Sequence, residues 1–144
     1  MRMRGFGLFL PVVALATSAC SQSASDNGSA EAPVEKPVAF ASLKGDPVRG
    51  KTVFLQCQAC HSSDPGRNMI GPTLHGIVGS KAGDVPGFSF SAPMKGSGIV
   101  WTGEELYGFL AAPQAKVPGT RMSFGGIQDA QSRADLIAYL ATLK

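Results

Sequence analysis

The sequence predicts an all-α domain built from a few short helices and long irregular loops. Three stretches carry apolar residues at helical spacing, and no segment of useful length alternates apolar and polar residues as a strand would. The 144 residues include 18 glycines and 10 prolines, which favours much irregular backbone. With 44% hydrophobic and 16% charged residues, the chain has the composition of a folded protein rather than a disordered one.

The charge of the chain is weakly positive and evenly spread. The formal net charge is +3, and the sequence contains no dense run of lysine and arginine. This distribution is too weak for a nucleic-acid-binding protein, and it is compatible with an acidic protein partner or an anionic surface.

Residues 1–20 are predicted to be an export signal. Arg2 and Arg4 precede the apolar run "GFGLFLPVVALA", which is short and interrupted by a proline, so it does not span a bilayer comfortably. The segment "LATSAC" resembles a bacterial lipoprotein processing site, in which Cys20 is lipidated and becomes the first residue, although Thr17 stands where that motif most often has leucine. The alternative is an ordinary secretory peptide cut near "ALA" or "TSA". Both readings export the chain.

The remainder divides into two predicted segments. Residues 21–45, including "SQSASDNGSAEAPVEKPVAF", are rich in Ser, Ala, Glu and Pro without an apolar period, which indicates a flexible tether. Residues 46–144 are predicted to form the folded domain.

The first predicted helix lies in "GDPVRGKTVFLQCQACH". Asp46 is a favourable N-cap, and Pro47 suits the first helical position, where its missing N–H costs nothing. Gly50 inside this helix is unfavourable by roughly 1 kcal/mol relative to alanine, unless another helix approaches closely there.

Two further helices are predicted in the second half of the chain. In "TGEELYGFLAAP", Thr102 and Glu105 have the spacing of a capping box, and Pro113 ends the helix. In "DAQSRADLIAYLATLK", Asp129 is the predicted N-cap. The apolar stripe of this last helix consists of Leu136, Ile137, Leu140 and Leu143.

Two long loops separate these helices. The stretch between His61 and Trp101 and the stretch from Ala112 to Gln128 are rich in Gly and Pro and have little regular pattern. Loops of this length are uncommon in a compact domain unless they are functional. Because three short helices cannot bury so much irregular chain, we expect a large apolar cofactor at the centre.

The motif "CQACH" is compatible with three chemistries. A structural zinc site needs four ligands, and His75 is the only other histidine in the sequence. A redox dithiol normally opens a helix after a strand, whereas Cys57 and Cys60 close the first predicted helix and have no predicted strands around them. The remaining chemistry is covalent haem attachment, in which two thiols form thioethers and His61 binds the iron. The surroundings of the motif favour haem.

The segment "KVPGTRMSFGG" offers a second axial ligand. Met122 lies in a Pro- and Gly-rich loop, and a thioether sulfur is a soft ligand that favours ferrous iron. An isolated methionine is more often core filler. Met69 and Met94 are rival ligands, but neither lies in a comparable loop.

Six segments then make the chain recognisable. The segments "CQACH", "GPTLHGIVGSKAG", "PGFSFS", "GIVWT", "VPGTRMSFGG" and "DLIAYL" follow one another between Gly45 and Lys144. In this order they resemble the class I cytochromes c, in particular the mitochondrial-type and bacterial c2-like branch. The resemblance implies the cytochrome c fold, in which N- and C-terminal helices cross and long loops wrap around one haem.

The resemblance also implies roles for individual residues. Cys57 and Cys60 would carry the thioethers of one covalent haem c, and His61 and Met122 would be the axial iron ligands. The carbonyl of Pro72 would accept a hydrogen bond from His61, and Trp101 would donate one to a haem propionate. Gly50 would allow the helix crossing against Tyr139. His75 would belong to loop packing rather than to the iron.

Four positions depart from the mitochondrial-type pattern. Ser80 stands where relatives often have Arg, Phe90 and Phe109 where they often have Tyr, and Met94 where they often have Asn. We expect less neutralised propionates and therefore a lower reduction potential. Docking lysines are also replaced near the methionine loop, by Gln114 and Ala115. The expected remaining cationic frame of the haem edge consists of Lys51, Lys81, Lys95, Lys116 and Arg121.

The predicted function is one-electron transport rather than catalysis. The expected partners are a redox donor and acceptor, such as a quinol–cytochrome c reductase and a terminal oxidase or reductase, with no role for nucleic acid. The protein is expected to be a monomer on the periplasmic side of a bacterial membrane, held there by lipidated Cys20. The alternatives are a peroxidase-like haem enzyme or sensor with a displaceable Met122, and a fixed subunit of a larger redox complex.

Overall fold

The computed structural model describes residues 38–144, and these form a helical domain. A 3-10 helix covers Phe40–Ser42, and five α-helices follow: α1 Pro47–Phe54, α2 Ala92–Gly96, α3 Gly103–Ala111, α4 Pro113–Lys116 and α5 Ala130–Leu140. An isolated antiparallel bridge joins Lys81 to Val100. The all-α prediction is confirmed. The predicted export signal, Cys20 and most of the predicted tether lie outside the described residues.

Helix α1 starts as predicted but ends early. The Asp46 side chain accepts hydrogen bonds from the backbone N–H groups of Val48 and Arg49, at 2.8 and 3.3 Å. The helix ends at Phe54, and the chain then tightens into turns with i to i+3 bonds, such as Cys57 N–H to the Phe54 carbonyl at 2.8 Å. The prediction of one helix through His61 was therefore too long.

Helices α1 and α5 cross at Gly50. A Cβ atom built on Gly50 would overlap the carbonyl oxygen of Asp135 and would come within 2.8 Å of the Cβ of Tyr139. The ring centroids of Phe54 and Tyr139 lie 5.2 Å apart beside this contact. A side chain at position 50 would hold the helices apart, which explains the glycine inside α1 despite its low helix propensity.

A buried carboxylate secures the same crossing. Asp135 is 3% exposed. It accepts hydrogen bonds from Arg49 Nε at 2.7 Å, the Asp46 backbone N–H at 2.8 Å and Gln131 Nε2 at 2.8 Å. The hydrogen bond from Arg49 lowers the pKa of Asp135 to about 2 against the opposing effect of burial, and the other two bonds act in the same direction. The carboxylate therefore ties the start of α1 to α5.

Helix α3 is capped by Thr102, and its capping box is half formed. The Thr102 hydroxyl accepts from the Glu105 N–H at 3.2 Å. The Glu105 carboxylate, however, forms an ion pair with Lys116 at 2.7 Å. Glu105 therefore pairs with Lys116 of α4 instead of forming the predicted hydrogen bond back to the Thr102 backbone N–H. This ion pair connects α3 to the start of the loop that carries Met122.

The residues before α1 pack onto α3. The Tyr107 hydroxyl donates to the Val38 carbonyl at 2.8 Å, and the Tyr107 ring lies 5.4 Å from the ring of Phe40. The guanidinium of buried Arg133 lies 4.2 Å from the centroid of the Tyr107 ring. Residues 38–42, which precede the predicted domain start at residue 46, therefore pack against the helical domain.

The core lies between α1, α3, α5 and the loop that carries Trp101. The Trp101 and Phe109 rings lie 4.9 Å apart. The buried apolar side chains of the core include Phe54, Ile77, Met94, Trp101, Leu106, Phe109, Leu110, Leu136, Ile137 and Leu140. Several of them also line the cavity described next. Within residues 38–144, no helix has the length and apolar character needed to cross a membrane.

Candidate functional site

A large apolar cavity occupies the centre of the domain. Its volume is about 640 Å³, within the range of roughly 300–1,000 Å³ typical of ligand and cofactor sites. The predicted site residues that line it are Cys57, Cys60, His61, Pro72, Trp101 and Met122. Apolar side chains from α2, α3 and α5 line the rest, including Met94, Leu106, Phe109, Leu136 and Leu140. Residues distant in sequence thus meet around one space.

The "CQACH" motif enters the cavity through consecutive turns. The Cys60 N–H donates to the Cys57 carbonyl at 3.1 Å, and the His61 N–H donates to the same oxygen at 2.9 Å. These two hydrogen bonds to one carbonyl oxygen wind the motif into a single helical turn. Both sulfurs and the imidazole therefore belong to the wall of the same cavity.

The His61 ring has a fixed orientation. Its Nδ1 atom lies 2.7 Å from the carbonyl oxygen of Pro72. A carbonyl only accepts hydrogen bonds, so Nδ1 carries the hydrogen and Nε2 keeps the lone pair that binds a metal. A Cβ atom on Gly71 would come within 2.7 Å of Nδ1, so this glycine allows the chain to close over the ring. The lone pair of His61 remains available to an iron atom.

Burial keeps both the imidazole and the first thiol in their neutral forms. It lowers the pKa of His61, and the hydrogen bond to Pro72 offsets part of this effect. Burial, together with the charge of Cys60, raises the pKa of the Cys57 thiol to about 11. A redox-active cysteine pair depends on a lowered thiol pKa, so this environment does not match a dithiol oxidoreductase.

The donor groups also differ from those of a zinc site. Between Val38 and Lys144, no three side chains of the types His, Cys, Asp and Glu come together as a possible metal site. His75 does not line the cavity, and its backbone N–H donates to the Thr73 hydroxyl at 3.1 Å. This places His75 in the loop packing, as the resemblance implies.

Met122 reaches the cavity from a loop that is held at both ends. Gln114 donates from Nε2 to the Thr120 carbonyl at 2.7 Å, and its Oε1 accepts from the Gly119 N–H at 3.3 Å. After the methionine, the Ile127 N–H donates to the Leu110 carbonyl at 2.8 Å. These bonds fix the position of the loop against α3 and α4.

The two rival methionines have different positions. Met69 is 40% exposed and does not line the cavity. Met94 is buried and lines it together with Met122. The sequence offered no loop signal for Met94, which is the third residue of the short helix α2. Met94 and Met122 therefore border the same space, and an experiment must decide which of the two binds the iron.

Three of the four departures from the mitochondrial-type pattern line the cavity. Phe90, Met94 and Phe109 line it, so apolar groups replace potential hydrogen-bond donors there. Ser80 does not line the cavity, and its hydroxyl donates to the Ile77 carbonyl at 2.8 Å. Its carbonyl accepts from the Trp101 N–H at 2.8 Å. Position 80 is therefore adjacent to the tryptophan rather than directly at the cavity wall.

Comparisons with known proteins agree with this geometry. The sequence model of the cytochrome c family matches residues 47–144. The chain belongs to the cytochrome c family. Cytochrome c2 of Rhodomicrobium vannielii is 49% identical over 105 residues, covering 72% of this chain and 84% of that protein. Cytochrome c2 of Blastochloris viridis is 38% identical over 141 residues, covering 97% of this chain and 92% of that protein.

A solved structure shows the same fold. Cytochrome cH from Methylobacterium extorquens superposes with a TM-score of 0.65 at 46% sequence identity, covering 68% of this chain and 99% of that one. The match confirms the predicted cytochrome c fold with its crossing terminal helices.

This chain carries a covalent haem c, which is attached through Cys57 and Cys60 of the "CQACH" motif. The cavity fits that group, because both thiols, a correctly oriented imidazole and a thioether line one apolar space of sufficient volume. Haem supplies an iron that accepts and releases one electron. The protein is accordingly an electron carrier of the c2 type.

Proposed function

We propose that this cytochrome c transfers single electrons between exported redox proteins, with His61 and Met122 as the axial ligands of its iron. The observation that carries the proposal is the 2.7 Å hydrogen bond between His61 Nδ1 and the Pro72 carbonyl, which directs the free Nε2 lone pair toward the cavity. A hydrogen bond of this kind orients a ligating histidine and makes it more basic. Met122, held in its loop by Gln114 and the contacts of α3, completes the pair.

Two axial protein ligands favour a carrier over an enzyme. A peroxidase-like enzyme or a sensor needs an open or easily opened sixth position on the iron, whereas a bound methionine fills it. Buried apolar residues that line the same cavity as Met122, including Phe109 and Leu110, would help to keep water away from that position. The chain then holds the haem, fixes its ligands and keeps the pocket dry, while the iron changes its oxidation state.

We assign Trp101 to the propionate groups of the haem. Its ring is 5% exposed and lines the cavity. From this position its indole N–H would be available to a haem propionate. A charge-assisted hydrogen bond of this kind would be shorter and stronger than a bond between neutral groups.

Export and membrane attachment rest on the first 45 residues. The signal-like run at 1–20, the cysteine at position 20 and the polar segment that follows support a lipid anchor and a tether. A lipid anchor would confine the carrier near membrane partners and raise its effective concentration there. A Cys20→Ala variant is then expected to support slower electron flow between membrane complexes.

A mass measurement of the mature protein tests this assignment. The expected mass is that of residues 20–144 with one haem and with the acyl chains of a lipoprotein. A mass with haem but without acyl chains would leave the carrier intact and remove the anchor. Potentiometric titration then tests the carrier role, with one reversible one-electron step expected. Stable co-purification with a larger complex would instead indicate a fixed subunit.

A further inference from the structure

The side-chain amide of Asn68 forms a hydrogen bond to the backbone at each of its two ends. Its Oδ1 accepts from the Thr73 N–H at 3.0 Å, and its Nδ2 donates to the Pro86 carbonyl at 2.9 Å. A backbone N–H only donates and a carbonyl only accepts, so these two partners fix the orientation of the amide. Asn68 does not line the cavity, and it has no part in the proposed ligand set.

The bond from Thr73 connects Asn68 to the iron ligand through one peptide group. The N–H of Thr73 and the carbonyl of Pro72 belong to the same planar peptide unit. That carbonyl is the acceptor that lies 2.7 Å from Nδ1 of His61. The chain of hydrogen bonds therefore runs from the imidazole through this peptide to Oδ1 of Asn68.

The peptide is also held on its other side. Thr73 is 5% exposed, and its hydroxyl donates to the Asp64 carbonyl at 2.6 Å and accepts from the His75 N–H at 3.1 Å. These bonds do not involve Asn68 and remain when its side chain is changed. A change at Asn68 is therefore expected to alter the strength of the bond from His61 more than the position of the peptide.

We propose that Asn68 is a positioning residue for His61, and that it lowers the reduction potential of the haem by polarising the peptide between residues 72 and 73. The proposal rests on the proposed ligation of the iron by His61. Hydrogen bonds in a chain strengthen one another, so donation by the Thr73 N–H makes the Pro72 carbonyl a better acceptor. A stronger bond from Nδ1 makes the imidazole a more basic ligand, and a more basic ligand favours ferric iron.

Two variants of the holoprotein separate this effect from the link to Pro86. Asn68→Asp keeps an acceptor for the Thr73 N–H and loses the donor to Pro86, whereas Asn68→Leu, of similar size, loses both. Because the loss at Pro86 is common to the two variants, their difference isolates the bond from Thr73.

Potentiometric titration at pH 7 measures the effect on the iron. We expect a lower potential in Asn68→Asp, because a charged acceptor forms the stronger bond, and a higher potential in Asn68→Leu. The expected change in the ratio of ferrous to ferric protein at a fixed applied potential is about threefold in each direction, or about 30 mV for one electron.

Proton NMR of the ferrous protein measures the hydrogen bond itself. The resonance of the hydrogen on His61 Nδ1 moves downfield as its bond strengthens, so we expect a downfield shift in Asn68→Asp and an upfield shift in Asn68→Leu. Met69→Asp is the control for charge alone. It places a carboxylate on the neighbouring residue, whose side chain is 40% exposed and does not line the cavity. This control should leave the Nδ1 resonance at its wild-type position.

Three results would overturn the role of Asn68. One is a shift of the potential in the same direction in both Asn68 variants, because that result indicates only a structural link between two loops. Another is an Nδ1 resonance that moves in neither variant. The third is a potential in Met69→Asp as low as that of Asn68→Asp, which would assign the effect to charge. If Asn68→Leu does not fold, the Nδ1 resonance of Asn68→Asp against those of the wild type and Met69→Asp decides the question.

The ferric protein distinguishes these results from a failure of the proposed ligation. Ring protons of a histidine bound to ferric haem iron are displaced far outside their ordinary range by the unpaired electron. Ordinary chemical shifts for the ring of His61 in the ferric wild type would overturn the proposed ligand set itself. Displaced ring protons together with any of the three results above would overturn the role of Asn68 alone.

Discussion

The backbone of Gly71 lies against the imidazole ring of His61. A Cβ atom at position 71 would stand 2.7 Å from Nδ1 and 2.8 Å from Nε2 of that ring. The next residue, Pro72, accepts the hydrogen bond from Nδ1. One short segment therefore both packs against the ring and orients it, and the two effects depend on the same backbone position.

Replacing Gly71 with alanine is expected to disturb the iron ligand. The added methyl group must displace either the imidazole or the loop, and overpacking of this kind costs about 1–3 kcal/mol. We expect a lower free energy of unfolding and a fraction of high-spin ferric iron, measured by denaturant titration and by absorption spectroscopy. Gly96→Ala is the control, because a Cβ atom there meets nothing within 4 Å. Equal stability and equal spectra for the two variants would contradict the close packing of Gly71 on His61.

Replacing Gly50 with alanine is expected to weaken the helix crossing while sparing the haem site. The new Cβ atom would overlap the backbone of Asp135, which cannot move without shifting α5. We expect a loss of roughly 2–3 kcal/mol in the free energy of unfolding despite the better helix propensity of alanine. Calorimetry or denaturant titration measures the change. A Gly50→Ala protein as stable as the wild type would show that the helices separate without cost.

The buried carboxylate of Asp135 predicts an acid-sensitive contribution to stability. Its pKa falls from 3.8 in the unfolded reference to about 2 in the folded protein. Because the folded-state pKa is depressed, the stabilisation is complete above about pH 4 and is lost as the pH falls from about 4 to about 2. Asp135→Asn is expected to lose roughly 1–2 kcal/mol at neutral pH, a value reduced by the exposure of its partner Arg49.

Denaturant titrations at a series of pH values measure this effect. The difference in stability between the wild type and Asp135→Asn should shrink as the pH falls through this window. Asp84→Asn, which removes an exposed carboxylate, serves as the control. A difference that stays constant down to the lowest pH would argue against an ionised Asp135 as the stabilising group.

Introducing a positive charge at position 80 is expected to raise the reduction potential. Ser80 is joined to Trp101 through the hydrogen bond between their backbones, so an arginine side chain there can approach the propionate assigned to the tryptophan. A cation near the haem favours ferrous iron, and we expect an increase on the order of tens of millivolts in Ser80→Arg. Potentiometric titration measures it, with the uncharged Ser80→Gln as the control. A wild-type potential equal to or above that of Ser80→Arg would refute the expectation.

The parts of the fold that could be predicted from sequence are those set by neighbouring residues. Asp46, Thr102 and Asp129 were recognisable as N-caps, and each accepts the expected backbone hydrogen bond. The short helices α2 and α4 were missed because segments of five and four residues carry no detectable period. Helix α1 was predicted too long because the switch from helix to turns after Phe54 leaves no mark in the sequence.

Contacts between distant residues could not be predicted in the same way. Arg49 and Asp135 are 86 positions apart, and neither stands in a pattern that identifies its partner. Glu105 was expected to close a capping box, but Lys116 of α4 is the partner it contacts. At the site, the sequence indicated the residues through a motif and a resemblance. Their meeting around one cavity, and the presence of Met94 beside Met122, required the structure.

The identity of the sixth iron ligand is tested most directly by the absorption spectrum of the ferric protein and of two methionine variants. Ligation by Met122 predicts a methionine–iron charge-transfer band in the wild type and in Met94→Leu, and the loss of that band in Met122→Leu. A band that survives in Met122→Leu and disappears in Met94→Leu would assign the ligand to the buried rival. A high-spin ferric spectrum in the wild type would contradict methionine ligation altogether and would favour an enzyme or a sensor.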